Sequence, residues 1–236
     1  GGSVSQLISS TVSGVTVTGT TWSTDTSLNP GMTNYSVGDV SKNTTSSDYW
    51  GLRHAISDDG NTIIGGAGNA KFDIDGGNVT SELGFVQVYR YSGGSWNQLG
   101  DTFIGDTSGN VARVRLGTRV AINGNGNVIA MSEARSGSSG EVHYFYVYEY
   151  NSGTYSWDLK GSPFSISNST NDVFNSLISD SMSLKLSSDG NILAVGHGWL
   201  RVDGVNNPGN VKVYQYSSGS WSQLGTDIIG EGAGDM

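Results

Sequence analysis

FVQVYRYSGGSW, residues 85–96, decides how this chain folds. In an extended strand successive side chains point to opposite faces, so Val86 and Val88 share one face while Tyr89 and Tyr91 lie toward the other. A sheet covered on one side alternates apolar with polar residues. Here both faces are apolar or aromatic, which predicts a strand covered on both sides. The same reading holds for Val211, Val213, Tyr214 and Tyr216 in NVKVYQYSSGSW, residues 210–221.

The phrase belongs to a repeat. The tryptophans Trp96, Trp157 and Trp221 lie 61 and 64 residues apart, and the tyrosines Tyr89, Tyr148 and Tyr214 lie 59 and 66 apart. The turn glycines Gly60, Gly126 and Gly190, in SDDGN, NGNGN and SSDGN, are spaced 66 and 64. Three anchors thus give one period of about 60–66 residues. Within it, LRHAIS, TRVAIN and MSLKLS form a first strand. An Asp-Gly or Asn-Gly turn, read as a two-residue type I′ hairpin, leads back through NTIIGGA, NVIAMSE and NILAVGH. After a variable loop come the tyrosine strand, a tight turn and the tryptophan strand. Each period is a four-stranded antiparallel meander.

A small sheet covered on both faces and repeated must stack between copies of itself. The expectation is an all-β fold, a β-propeller of four-stranded antiparallel blades. Residues 1–48 read as a degenerate N-terminal half-blade (GVTVTGTTW, residues 14–22) followed by an irregular polar segment. Blades follow at 49–100 and 101–160, and 161–236 holds a further blade and the start of the next repeat. That makes about 3.5–4 blades in one domain. The final phrase, WSQLGTDIIGEGAGDM, starts a repeat without finishing it, so part of a larger propeller is expected, a closed four-bladed ring being the alternative.

Composition narrows the function classes. The chain has 236 residues and a formal net charge of −9. An acidic surface is the wrong footprint for phosphate, which argues against nucleic acid and anionic lipid. No apolar run approaches the ~20 residues that span a bilayer, so membrane insertion is not expected. Cysteine is absent, which excludes disulfides, thiolate metal sites and a cysteine nucleophile.

SLKLSSDGNILAVGHG (residues 183–198) and GNVKVYQYSSGSWSQLGTDIIGEGAGD (residues 209–235) resemble FG-GAP-like propeller repeats of microbial and viral surface proteins. The resemblance runs from about residue 50 to the end. It implies an extracellular propeller at a cell or virion surface, serving as a platform for protein or ligand binding. Family members carry calcium in loops of the form Asp-x-Asp-x-Asp-Gly. The nearest match is DIDGGN, with Asp73, Asp75 and Asn78, and Glu82 close behind. Oxygen ligands at alternate positions suit Ca²⁺, the one cofactor considered; a solvated turn is the alternative.

A second candidate site is GHGWLRVDG, a loop with an aromatic, a cation and an acid, whose Trp199, His197 and Arg201 are the residues offered to a sugar or a protein partner. The bland alternative is a loop at a blade edge. His54 reads as a half-buried core residue. Arg53, Arg119 and Lys185 lie on the first strands without acidic partners at matching positions, so no catalytic residues are assigned. The reading is a non-catalytic structural or adhesive module of a surface, fibre or virion protein, binding protein, glycan or copies of itself. A glycan-binding lectin is the alternative. A propeller glycoside hydrolase, which needs paired carboxylates, comes third.

Overall fold

The computed structural model describes residues 14–15, 36–37, 40–42, 48–74, 79–106, 113–137, 140–166, 182–198 and 209–231. Every regular element among them is a strand. Three short strands come first: β1 (Gly14–Val15), β2 (Ser36–Val37) and β3 (Val40–Lys42). The first repeat contains β4 (Arg53–Ile56), β5 (Thr62–Ala67), β6 (Lys71–Ile74), β7 (Val79–Ser92), β8 (Ser95–Gln98) and β9 (Phe103–Ile104). The connecting strand β10 (Arg113–Leu116) precedes the second repeat, β11 (Arg119–Ile122), β12 (Val128–Gly137), β13 (Gly140–Asn151), β14 (Ser156–Leu159) and β15 (Phe164–Ile166). The third holds β16 (Met182–Leu186), β17 (Ile192–His197), β18 (Asn210–Ser217), β19 (Ser220–Gln223) and β20 (Ile228–Ile229).

Each repeat is an antiparallel meander: β4-β5-β7-β8, β11-β12-β13-β14 and β16-β17-β18-β19. We call these sheets 1, 2 and 3. The fourth strand then breaks and resumes, so that β9, β15 and β20 pair again with the third strand of their own sheet. The variable loop of the first repeat is a hairpin extension, β6 pairing with the early part of β7. There β3 adds to β6, and β10 runs parallel to β7. Of the expected N-terminal half-blade, Gly14 and Val15 pair with Asn97 and Trp96 at the outer edge of sheet 1. Its Trp22 lies outside the described residues.

The two-sided strand produces two-sided packing. Val120, Ile122, Ile129 and Met131 of sheet 2 pack with Ile64, Val86 and Val88 of sheet 1. On the opposite face, Ala121, Val128, Ala130, Phe145 and Val147 pack with Leu184, Leu193 and Val195 of sheet 3. Sheet 2 is therefore a layer with no solvent-facing side at its centre. This period-two division of one strand between two cores is what apolar residues at every position encode.

The turns differ from the two-residue hairpin. Ser57 N–H bonds to the Thr62 carbonyl and Gly60 N–H to the Ser57 carbonyl, leaving a four-residue loop built on a type I turn. The reason is the serine: its hydroxyl accepts the Thr62 amide at 3.0 Å and donates to Asp59 Oδ1 at 2.5 Å. Asp59 also takes the Asn61 amide at 3.0 Å. Gly60 still supplies the left-handed conformation, at φ 72°. Ser187, Asp189, Gly190 and Asn191 repeat the arrangement. The Ser57 hydroxyl, followed by the Asn61 amide, holds the Asp59 carboxyl below its ordinary range.

Candidate functional site

Two polar devices join one sheet to the next. The first is an indole socket. Trp157 Nε1 donates to the Leu99 carbonyl at 2.8 Å, and Trp221 Nε1 donates to the Lys160 carbonyl at 2.6 Å. Leu99 and Lys160 stand three residues after Trp96 and Trp157, so each tryptophan strand makes the socket for the next tryptophan. The residue after the acceptor is glycine, Gly100 at φ 74° and Gly161 at φ 81°. A Cβ on Gly100 would lie 2.6 Å from Trp157 Cδ1, and one on Gly161 3.0 Å from Trp221 Cδ1. These glycines break the fourth strand and leave room for the indole. Replacing Trp157 by Phe is expected to cost about 1 kcal/mol for the lost hydrogen bond, read as a lower urea midpoint.

The second device lies at the turns. Asp58 N–H bonds to the Gly124 carbonyl at 2.9 Å, and Gly124 N–H to the Ser188 carbonyl at 3.0 Å. Ser188 Oγ closes back on Asp58 Oδ2 at 2.9 Å. Turns from three repeats thus meet, with the side-chain-free Gly124 between them; a Cβ there would lie 2.1 Å from Ser188 Oγ.

The ionisable side chains at the sheet junctions serve the same end. Arg119 is 8% exposed and donates through Nε to the Met182 carbonyl of the next sheet. Arg90 reaches across from sheet 1 to the Gly126 carbonyl at 3.0 Å and lies over the Tyr150 ring. Glu133, by contrast, is 2% exposed and held within sheet 2, bonded by Arg135 and by the Tyr146 hydroxyl at 3.1 Å. Burial raises the Glu133 carboxyl above its ordinary value, opposed by Arg135 and Tyr146.

On the far side of sheet 3 lies an open groove of about 410 Å³, lined by Ser183, Gly196, Val211, Ile228 and Ile229 among others. No family model matches the chain, and no curated protein matches it. Among solved structures the chain is similar to a prolyl endopeptidase, at 14% identity and a TM-score of 0.36, over 80% of this chain and 21% of that one. A likeness of that size carries no argument about function.

The sequence candidates are placed as follows. His197 ends β17 and is 2% exposed, its ring edge-on to His143 of sheet 2 with centroids 6.5 Å apart. Trp199 and Arg201 lie outside the described residues. Asp73 sits in the β6–β7 hairpin opposite Thr80, while Asp75 and Asn78 lie outside the described residues. Glu82 is bonded by Arg115 Nε at 3.0 Å, with Arg113 at 3.5 Å, so its carboxylate is already engaged by cations. His54 differs from the expected half-buried residue. It is exposed and its Nδ1 lies 2.9 Å from the Gly51 carbonyl, because sheet 1 has no further sheet over that face among the described residues. No helix among the described residues is long and apolar enough to cross a membrane.

The indole sockets and the meeting of the three turns were missed by sequence reasoning. A signal existed, since the Leu-Gly or Lys-Gly pair follows each tryptophan at the same interval, in WNQLG, WDLKG and WSQLG.

Proposed function

We propose that the chain is a non-catalytic module of a β-propeller, its three sheets being consecutive blades, displayed on a cell surface, fibre or virion. The supporting observation is how the polar groups at its sheet junctions are used. Arg119, Trp157, Trp221 and the Asp58–Gly124–Ser188 set all bind one sheet to another. Equivalent turns meeting from three successive repeats favour a radial stack, in which blades share an axis. The resemblance to FG-GAP-like repeats favours an extracellular setting and a partner that is protein, glycan or another copy.

A screen of the purified chain against a glycoside panel, run beside a glycan array, tests this reading. The expected result is no turnover of any glycoside; hydrolysis of one overturns the non-catalytic assignment.

A further inference from the structure

The rule that joins sheet 1 to sheet 2 and sheet 2 to sheet 3 leaves two matching ends. On the forward face, Val86 and Phe145 are 0% and 1% exposed under the following sheet, whereas Val211, their equivalent in sheet 3, is 37% exposed and Ile228 is 62% exposed. On the backward face, Ile122 of sheet 2 is 9% exposed, whereas its equivalent Ile56 in sheet 1 is 56% exposed, with Tyr91 at 45%. The sockets follow the same series. Gly100 and Gly161 each hold an indole against the chain, while Gly225, at the same position and at φ 74°, has nothing among the described residues within 4 Å of a Cβ placed on it. Leu224 is the third acceptor position, 49% exposed, and Trp96 is the first tryptophan of the series.

We propose that the forward face of sheet 3 is the docking surface for the backward face of sheet 1 in a second copy of this chain. Trp96 of one copy enters the socket at Leu224 and Gly225 of the other, and Ile56 covers Val211 and Ile228. The occupant is argued from continuity. Among the described residues the two faces are the unfilled halves of an interface that the chain builds twice within itself, with the same apolar positions and the same indole-to-carbonyl bond. A contact between different patches either closes or propagates. Two copies joined at both ends close into a twofold ring in which the stack of sheets is uninterrupted. The proposal rests on the module reading above and names copies of the chain as its partner.

Sedimentation of the full 236-residue chain tests it. The expected species is a dimer of about 49 kDa, twice the 24.7 kDa of one copy. Ile228→Lys and Ile56→Lys, both at exposed positions, are each expected to give monomers with unchanged circular dichroism and a thermal midpoint that, unlike that of the dimeric wild type, does not rise with protein concentration. An equimolar mixture of the two variants is expected to recover a heterodimer, because one interface then keeps both native faces. A wild-type chain that stays monomeric at its highest soluble concentration overturns the proposal. So does an Ile56→Lys variant that remains a full-strength dimer, which would place sheet 3 against sheet 3. A monomer leaves the non-catalytic reading standing, and glycoside turnover leaves self-association standing, so the two failures are separate.

Discussion

Phe145→Ala is expected to destabilise the chain by about 3–5 kcal/mol, the range for removing a large aromatic from a packed core. Phe145 lies on the face of sheet 2 that meets sheet 3 and is 1% exposed. It stacks on Phe164 with centroids 5.5 Å apart and an interplanar angle of 25°. Leu193 and Val195 of sheet 3 belong to the same cluster. A cavity at this junction weakens the hold of one sheet on the next, where neither partner can collapse without breaking its own ladder. Against a domain stability of roughly 5–15 kcal/mol, such a loss is a large fraction of the whole. The urea midpoint of the variant reads it. Tyr155→Ala, at a position 76% exposed, serves as the control and should stay within about 0.5 kcal/mol of wild type. A Phe145→Ala loss as small as that of the control would show that the junction is not a packed core.

Acid should loosen the same junction through His197. The ring is buried beside His143, and burial first, then the fields of His143 and Lys212, push its pKa down to about 4, with Asp227 pulling the other way. The folded chain therefore holds the imidazole neutral at a pH where the unfolded chain, with an ordinary value near 6.5, takes up a proton. Above about pH 6.5 the folded state carries no penalty from this group. As pH falls from there toward about 4, stability is lost, reaching about 3 kcal/mol at ~1.4 kcal/mol per pKa unit. The aspartates Asp59, Asp189 and Asp227 are all held below their ordinary value, so they titrate beneath this window. His197→Gln cannot take the proton and should flatten the slope of stability against pH between 6.5 and 4 relative to wild type. Glu133 titrates in both proteins and cancels from the comparison. Parallel slopes for the two proteins would refute the assignment.

The strands themselves were legible because each carries its own signal. Val86, Val88, Tyr89 and Tyr91 read as a strand covered on both faces. Among the described residues Val86 and Val88 lie under sheet 2 while Tyr91 is 45% exposed, and coverage on both faces is met in sheet 2. Glycines at a constant interval placed the turns, although the side chain that lengthens each loop, the hydroxyl of Ser57 and Ser187 or the amide oxygen of Asn123, outranked the Asn-Gly or Asp-Gly signal. What joins the sheets was less legible. Leu99 and Lys160 act through backbone carbonyls, which no residue identity reveals. Gly124 matters for what it lacks, a fact visible only once Asp58 and Ser188 approach from either side. His197 was read as part of an open loop motif because its neighbours Trp199 and Arg201 are polar or aromatic. Its burial depends on His143, which is far away in sequence.

The bond from Ser188 to Asp58 spans 130 residues. Loop-closure entropy must be met before so distant a contact returns anything, and folds dominated by such contacts fold slowly. During synthesis the first two sheets emerge complete while Asp58 still waits for its second partner, Ser188. The closing hydrogen bond of the set thus waits for Ser188, which follows Trp157 of the first indole socket and precedes Trp221 of the second. The set is a long-range latch laid over contacts that otherwise run about one repeat apart.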